Sequence, residues 1–167
     1  MGSGMQGWQM ALAAIGAYTA GTYFVDVLLR PYFVANEAQR FAKSVGKPVL
    51  NVGAGTPRSS LRVALIGPTT WGDVNCDIAA SETSCGIDRV CYCDATKLPY
   101  PDKTFGAIIA SHVLEHLRDP KAAVAEWDRV AERSFIIVPK WWAAHTWAHP
   151  GHRWFINDKF GMFPLWG

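Results

Sequence analysis

Charge is scarce in this 167-residue sequence and nearly balanced, with 16 Lys and Arg against 14 Asp and Glu and a net charge of +2. A chain so close to neutral lacks the basic field that draws proteins onto phosphate backbones, so nucleic acid is not an expected partner. Cysteine is scarce too. Its four residues all lie between Cys76 and Cys93. They are too few and too clustered for the disulfide framework of a small secreted protein, so free thiols in a reducing compartment are expected. No internal repeat or low-complexity tract occurs, and 50% of the residues are hydrophobic. That excludes a disordered tail or a fibre and leaves one compact domain with an appendage.

Charge is absent altogether from Met5 to Val25, MQGWQMALAAIGAYTAGTYFV. At about 1.5 Å per helical residue the run covers about 30 Å, the thickness of a bilayer's hydrocarbon core. Trp8 near one end, and Tyr23, Phe24, Tyr32 and Phe33 near the other, stand where aromatic rings settle among headgroups. Arg30, Arg40, Lys43 and Lys47 follow the run and nothing basic precedes it. The positive-inside rule therefore predicts a single-pass membrane anchor with its N-terminus outside and the C-terminal domain cytoplasmic. A cleaved signal peptide would need a basic n-region, and myristoylation would need Ser or Thr where Gln6 stands. Ala13, Ala17 and Gly21 form one row of small residues and Gly16 and Ala20 another, a face on which a partner helix could approach closely in a membrane complex. The alternative for the run is a long helix buried in a soluble complex. The expected division is an anchor over 1–34 and a domain over 35–167.

Pro31 is expected to end or kink the anchor. Ala35 to Val45 then reads as an amphipathic helix with Glu37, Arg40 and Lys43 outward, stopped by Gly46. Beyond Lys47, strand-like runs alternate with other segments: Pro48 to Val52, then an apolar stretch Leu61 to Ile66, a second strand Asp73 to Ile78, a third Arg89 to Cys93, the run Phe105 to Ala110, the helical Ala122 to Val130, and Ser134 to Val138 before Pro139. Such alternation predicts the α/β class, with an open, mainly parallel sheet covered on its faces.

In such sheets ligands bind beyond the carboxyl ends of the strands. Four strand ends carry candidate chemistry. Val49-Leu-Asn-Val-Gly-Ala-Gly-Thr56 breaks into glycines that turn sharply and let a ligand approach the backbone. Asp77 follows at the distance where an acid commonly receives ribose hydroxyls. Asp94-Ala95 ends the third strand, and Ser111-His-Val-Leu-Glu-His116 follows the run from Phe105 to Ala110. Each also has a plainer reading: a tight turn at the glycines, a loop acid or helix cap at Asp77 and Asp94, a loop pin at Glu115-His116.

Taken together, Leu50-Asn-Val-Gly-Ala-Gly-Thr-Pro57, Asp94-Ala-Thr-Lys-Leu-Pro-Tyr-Pro-Asp-Lys-Thr-Phe105 and His112-Val-Leu-Glu-His-Leu-Arg-Asp-Pro120 resemble the class I S-adenosylmethionine-dependent methyltransferases, especially the small-molecule and lipid branch. The resemblance covers about residues 47 to 140. It implies a Rossmann-like methyltransferase fold and S-adenosylmethionine as cofactor. It places Asn51, Gly53 and Gly55 at the methionine end, Asp77 at the ribose, and Asp94 with Ala95 at the adenine. His112 and His116 would stand beside the substrate as catalytic candidates, since imidazole is poised near neutral pH.

The sequence departs from that pattern in several places. Asn51 replaces an acid, Pro57 a glycine, and Gly106 the usual Asp after Phe. Few residues follow Lys140, which predicts a sheet truncated at its C-terminal end. The tail has the spacing His145-x3-His149-x2-His152, but no nearby acid completes a familiar ligand set, so no metal is assigned. His149-Pro-Gly-His-Arg-Trp154 resembles a segment that forms an active-site rim in related methyltransferases. Two functions follow: a membrane-anchored methyltransferase acting on an unknown acceptor, or an inactive accessory or scaffold subunit of a membrane complex that keeps the fold. A nicotinamide-dependent oxidoreductase would need the full G-x-G-x-x-G, which is missing.

Overall fold

β1 (Val49–Val52) is buried at all four positions and takes the centre of the sheet. A computed structural model describes residues 6–55, 70–80, 90–157, 159 and 161–165. It pairs β1 with β2 (Val74–Asp77) on one side and β4 (Phe105–Ser111) on the other; β3 (Cys91–Tyr92) and β5 (Ala131–Ile137) flank them. All four pairings are parallel, in the order β3-β2-β1-β4-β5. The chain moves outward from β1 through β3 and then crosses to β4. The topological switch point lies between β1 and β4, where open α/β sheets hold their ligands.

Alternation along β1 sorts its residues between two cores. Leu50 and Val52 join Cys76, Ile108, Ala110 and, from α3 (Pro120–Val130), Ala123, Trp127 and Val130. Val49 faces the other way, with Ala107, Ile109 and Phe135, beneath Ala35, Ala38 and Ala42 of α2 (Arg30–Ser44). This second contact explains Gly106, where the resemblance leads one to expect Asp. A Cβ there would stand 2.8 Å from the Ala42 Cα and 2.9 Å from Val45 Cγ2, so α2 leaves no room for a side chain.

Two expectations are corrected. First, Pro31 does not end the helix. α1 (Gly7–Tyr23) runs through a π-helical stretch, Phe24–Leu29, straight into α2. In the wider turn the Arg30 N–H reaches back to the Val25 carbonyl, and Pro31 follows at a first-turn position of α2, where proline is tolerated. Second, the thiols are not free: Cys76 and Cys93 form a disulfide with a Cα–Cα distance of 5.5 Å, and Cys91 is disulfide-bonded as well. Cys76 pairs with Cys91 in the β2–β3 register, which brings the carboxyl ends of both strands side by side. Among the described residues the tail adds no strand to the five-stranded sheet. After α4 (Ala144–Ala148), β6 (Trp154–Ile156) and β7 (Met162–Pro164) form a separate antiparallel pair. Pro57, Cys85 and the apolar stretch Leu61 to Ile66 lie outside the described residues.

Gly7–Ser44 is long and apolar enough to cross a membrane, by length and composition. Its N-terminal half exposes Trp8, Met10, Leu12 and Ile15. From Tyr18 onward one side docks on the domain. The Tyr18 hydroxyl donates to the Trp142 carbonyl, and Arg30 bonds both Asp26 and, at 3.2 Å, the Val138 carbonyl.

Candidate functional site

Gly53 and Gly55 leave β1 with φ of +72° and +80°, a left-handed backbone that side-chain-bearing residues rarely adopt. The Gly53 and Ala54 N–H groups both donate to the Cys76 carbonyl at the end of β2. A Cβ on Gly53 would lie 2.3 Å from Val113 Cγ2, so the loops after β1 and β4 touch across the switch point. Beside them Asp77 accepts the Gly55 N–H on Oδ2 and the Ala79 N–H on Oδ1, each at 2.8 Å. Each carboxylate oxygen retains a second lone pair, so Asp77 both shapes the glycine loop and can accept a ligand hydroxyl.

Asp94 follows one residue after the disulfide-bonded Cys93. Its Oδ1 accepts the Thr96 N–H at 2.8 Å and the Thr96 hydroxyl at 2.7 Å. Trp127, fully buried on α3, donates its indole N–H to the Ala95 carbonyl at 2.9 Å. Glu126 takes the Leu98 N–H, and Arg129 bonds the Tyr100 carbonyl and Asp102. The motif from Asp94 to Asp102 is therefore a loop clamped along its length by one helix. Gly53, Gly55, Asp77, Asp94 and Ala95 all lie at the carboxyl ends of neighbouring strands.

Asn51 stands apart from that set. It shares the Val49 face of β1, is 1% exposed, and donates from Nδ2 to Asn75 Oδ1, its register partner on β2, at 3.2 Å. Asn75 in turn bonds both backbone groups of Gly72. Asn51 thus belongs to a buried polar network within the sheet.

His112 ends β4 with φ of +57°, and its N–H donates to the Ile137 carbonyl at the end of β5. Its Nε2 lies 3.2 Å from the Asp26 carbonyl and its Nδ1 3.2 Å from Glu115 Oε1. Burial pushes this imidazole down, but the Glu115 carboxylate and the Asp26 carbonyl outweigh it and hold the pKa above its ordinary value. With Nε2 on a backbone carbonyl and Nδ1 beside a carboxylate, His112 clamps the loop after β4 to the long helix.

His116 differs. Its Nδ1 lies 2.9 Å from the Gly151 carbonyl, which can only accept, so Nδ1 carries the proton and Nε2 the lone pair. The tail packs on this loop: the Arg153 N–H donates to the Glu115 carbonyl at 2.7 Å and the Trp154 indole to the Leu117 carbonyl at 2.9 Å. A cavity of about 460 Å³ opens alongside, lined by Arg118, Gly151, His152, Arg153 and Trp154.

Three further residues organise the site: Glu115 and His145, each named in a sequence motif, and Asp26, which had no role assigned from the sequence. Glu115 is 1% exposed. Asp26, wholly buried, accepts the Lys140 N–H at 3.1 Å and faces His145 Nε2 at 3.3 Å, so it ties the long helix to the loop after β5. The signal for Asp26 was its place as the first charge after an apolar run.

A family model described as a methyltransferase domain matches residues 50–137. Among curated relatives, a demethylmenaquinone methyltransferase from Renibacterium salmoninarum is 33% identical over 103 residues, 56% of this chain and 40% of that protein. One from Streptomyces avermitilis is 32% identical over 105 residues, 60% of this chain and 44% of that protein. The chain spans less than half the length of these relatives. A solved S-adenosylmethionine-dependent methyltransferase from Thermotoga maritima overlaps 66% of this chain and 54% of its own, at 21% identity and a TM-score of 0.36.

Proposed function

Because the chain belongs to the class I S-adenosylmethionine-dependent methyltransferase family, we propose that it binds S-adenosylmethionine at the β1–β3 strand ends and methylates an apolar acceptor held at a membrane. The observation that carries the reading is the arc of Gly53, Gly55, Asp77, Asp94 and Ala95 beyond neighbouring strand ends. The residues suit the cofactor. Two left-handed glycines bare their backbone to a close-fitting ligand, and two acids on adjacent strands offer oxygens to its hydroxyl and amino groups.

The cofactor, when bound, supplies an electrophilic methyl group. The protein's part is to hold and orient. Asp77 and Asp94 fix one partner, while the loop from His112 to His116 walls the other side of the switch point and keeps water from it. Bringing two reactants into line in this way lowers the barrier without requiring a side chain to take a proton. An acceptor of quinol type is supported by the relatives, named as demethylmenaquinone methyltransferases. A membrane location is supported by the exposed apolar side chains of α1 and by Trp141 and Trp147 on the loop and helix after β5. The small-residue rows of α1 are open, with nothing within 4 Å of a Cβ at Gly16 or Gly21, and suit a partner helix.

Calorimetric titration of the detergent-purified chain with S-adenosylmethionine and S-adenosylhomocysteine tests the reading. Micromolar binding that falls at least tenfold in Asp77→Ala is the expected result. Absence of binding by folded protein would favour the second reading, an accessory subunit, which the burial of Asn51 supports.

A further inference from the structure

Beyond the strand ends, and independently of the methyltransferase reading, three imidazoles converge where the tail meets the loop after β4. His116, His149 and His152 each present a ligand atom, all within 4.8 Å of one another. Their rings lie 4.6 to 5.3 Å apart by centroid. Two are already oriented. His116 Nδ1 faces the Gly151 carbonyl at 2.9 Å and His152 Nδ1 the Thr146 carbonyl at 3.0 Å. A carbonyl cannot donate, so both protons sit on Nδ1 and both Nε2 atoms carry lone pairs. That is the outer-shell arrangement by which metal-binding histidines are commonly held.

The second observation is Glu115. Its side chain is 1% exposed, and among the described residues its carboxylate has the ion-pair contact with His112 but no well-aligned hydrogen bond. Oε1 lies 4.0 Å from His152 Nε2 and 3.2 Å from His112 Nδ1. Burying a carboxylate without hydrogen bonds is costly unless a positive charge stands close by. His112 supplies one on the far side, while the three histidines supply none when neutral.

We propose that His116, His149 and His152 bind one divalent transition-metal ion of the zinc class, with the buried Glu115 carboxylate supplying negative charge beside it. Nitrogen donors at about 2.0 Å from a tetrahedral ion stand about 3.3 Å from each other. The required closure is thus on the order of 1 Å, and His149, exposed on the tail, is free to make it. Its Nδ1 now accepts the Gly151 N–H at 3.1 Å, a surface contact that coordination would replace or leave in place according to which ring nitrogen it uses. The ion would cross-link the tail to the loop after β4, on the acceptor side of the switch point. The acid that the tail spacing lacks is present after all, brought from 30 or so residues upstream by the fold.

The test uses the full chain in detergent, purified without a histidine tag and stripped with chelator. Zn²⁺ is titrated calorimetrically, and Co²⁺ is followed by its visible ligand-field spectrum. The expected result is one ion per chain, the intense absorption of low-coordinate Co²⁺, and affinity lowered at least tenfold in both His149→Ala and His116→Gln, with circular dichroism unchanged. His149→Ala alters an exposed side chain, so its fold is secure even if a change at His116 disturbs the loop. No binding by the folded wild type, or binding that survives both substitutions, would overturn the site. S-adenosylmethionine binding measured on the same sample reports separately on the methyltransferase reading.

Discussion

At the scale of single residues, His112 illustrates how a motif histidine can change its part once it is placed. The stretch from His112 to Pro120 was legible as a family motif, and its position after β4 followed directly. What the string could not show is that Asp26, 86 residues upstream, offers its carbonyl to one ring nitrogen while Glu115 holds the other. The consequence is a measurable pH dependence. The folded pKa is raised, so the stabilisation is fully present below the unfolded imidazole value of about 6.5 and is lost as pH rises through the folded value above it. His112→Asn, which tolerates the left-handed backbone, is expected to lower the melting temperature most just below pH 6.5. The difference from wild type should shrink in more alkaline buffer; a difference that is flat with pH would contradict the clamp. Asn51 carries the same lesson in another form. Period-two alternation along β1 already placed it on the Val49 face, away from the Leu50–Val52 core, and the resemblance to a crevice acid drew attention from that simpler fact.

At the scale of elements, β2 and β3 are short, yet Asp77 and Asp94 are brought together. The Cys76–Cys93 disulfide, one residue before each acid, fixes the two strand ends against each other. Free thiols were expected because the spacing suggested no framework; pairing depended on the Cys76–Cys91 register, which cannot be read without the sheet. The bridge spans 17 residues, and a loop of that length stabilises by about 3 kcal/mol when closed. Cys76→Ala combined with Cys93→Ala is therefore expected to lower unfolding stability by about 2–4 kcal/mol in denaturant titration. S-adenosylmethionine affinity should weaken with it, because the acids lose their fixed separation. If stability falls and affinity holds, the staple serves the fold alone. The helices were more legible. α3 was read from its spacing to within two residues at its start, but its work was not: Glu126, Trp127 and Arg129 hold the Asp94–Asp102 loop, a role visible only in side-chain contacts across 28 to 32 residues.

At the scale of the whole molecule, the question is how an apolar helix of bilayer length can also be part of the domain. Tyr18, Asp26 and Arg30 all bond the loops after β5, so those turns are committed to protein contacts along one side. Among the described residues the part without such contacts, Gly7 to Ala17, exposes Trp8, Met10, Leu12 and Ile15. Beyond it Phe24, Leu28, Leu29, Tyr32 and Phe33 continue the exposed apolar surface. One side of the same helix is thus left for a membrane while the other is held by the domain. The side of the membrane is a separate matter. Basic residues after the run favour the cytoplasm, whereas a disulfide persists in oxidising compartments. Thiol labelling of the protein in intact cells, before and after reduction, separates the two. For the attachment itself, Leu12→Lys with Ile15→Lys places two cations on the exposed face of α1, far from every residue of the site. Binding to liposomes is expected to fall at least tenfold, with S-adenosylmethionine affinity unchanged. Liposome binding that survives the substitutions would move the attachment surface to the exposed Trp141 and Trp147, whose replacement by Ser would then abolish it.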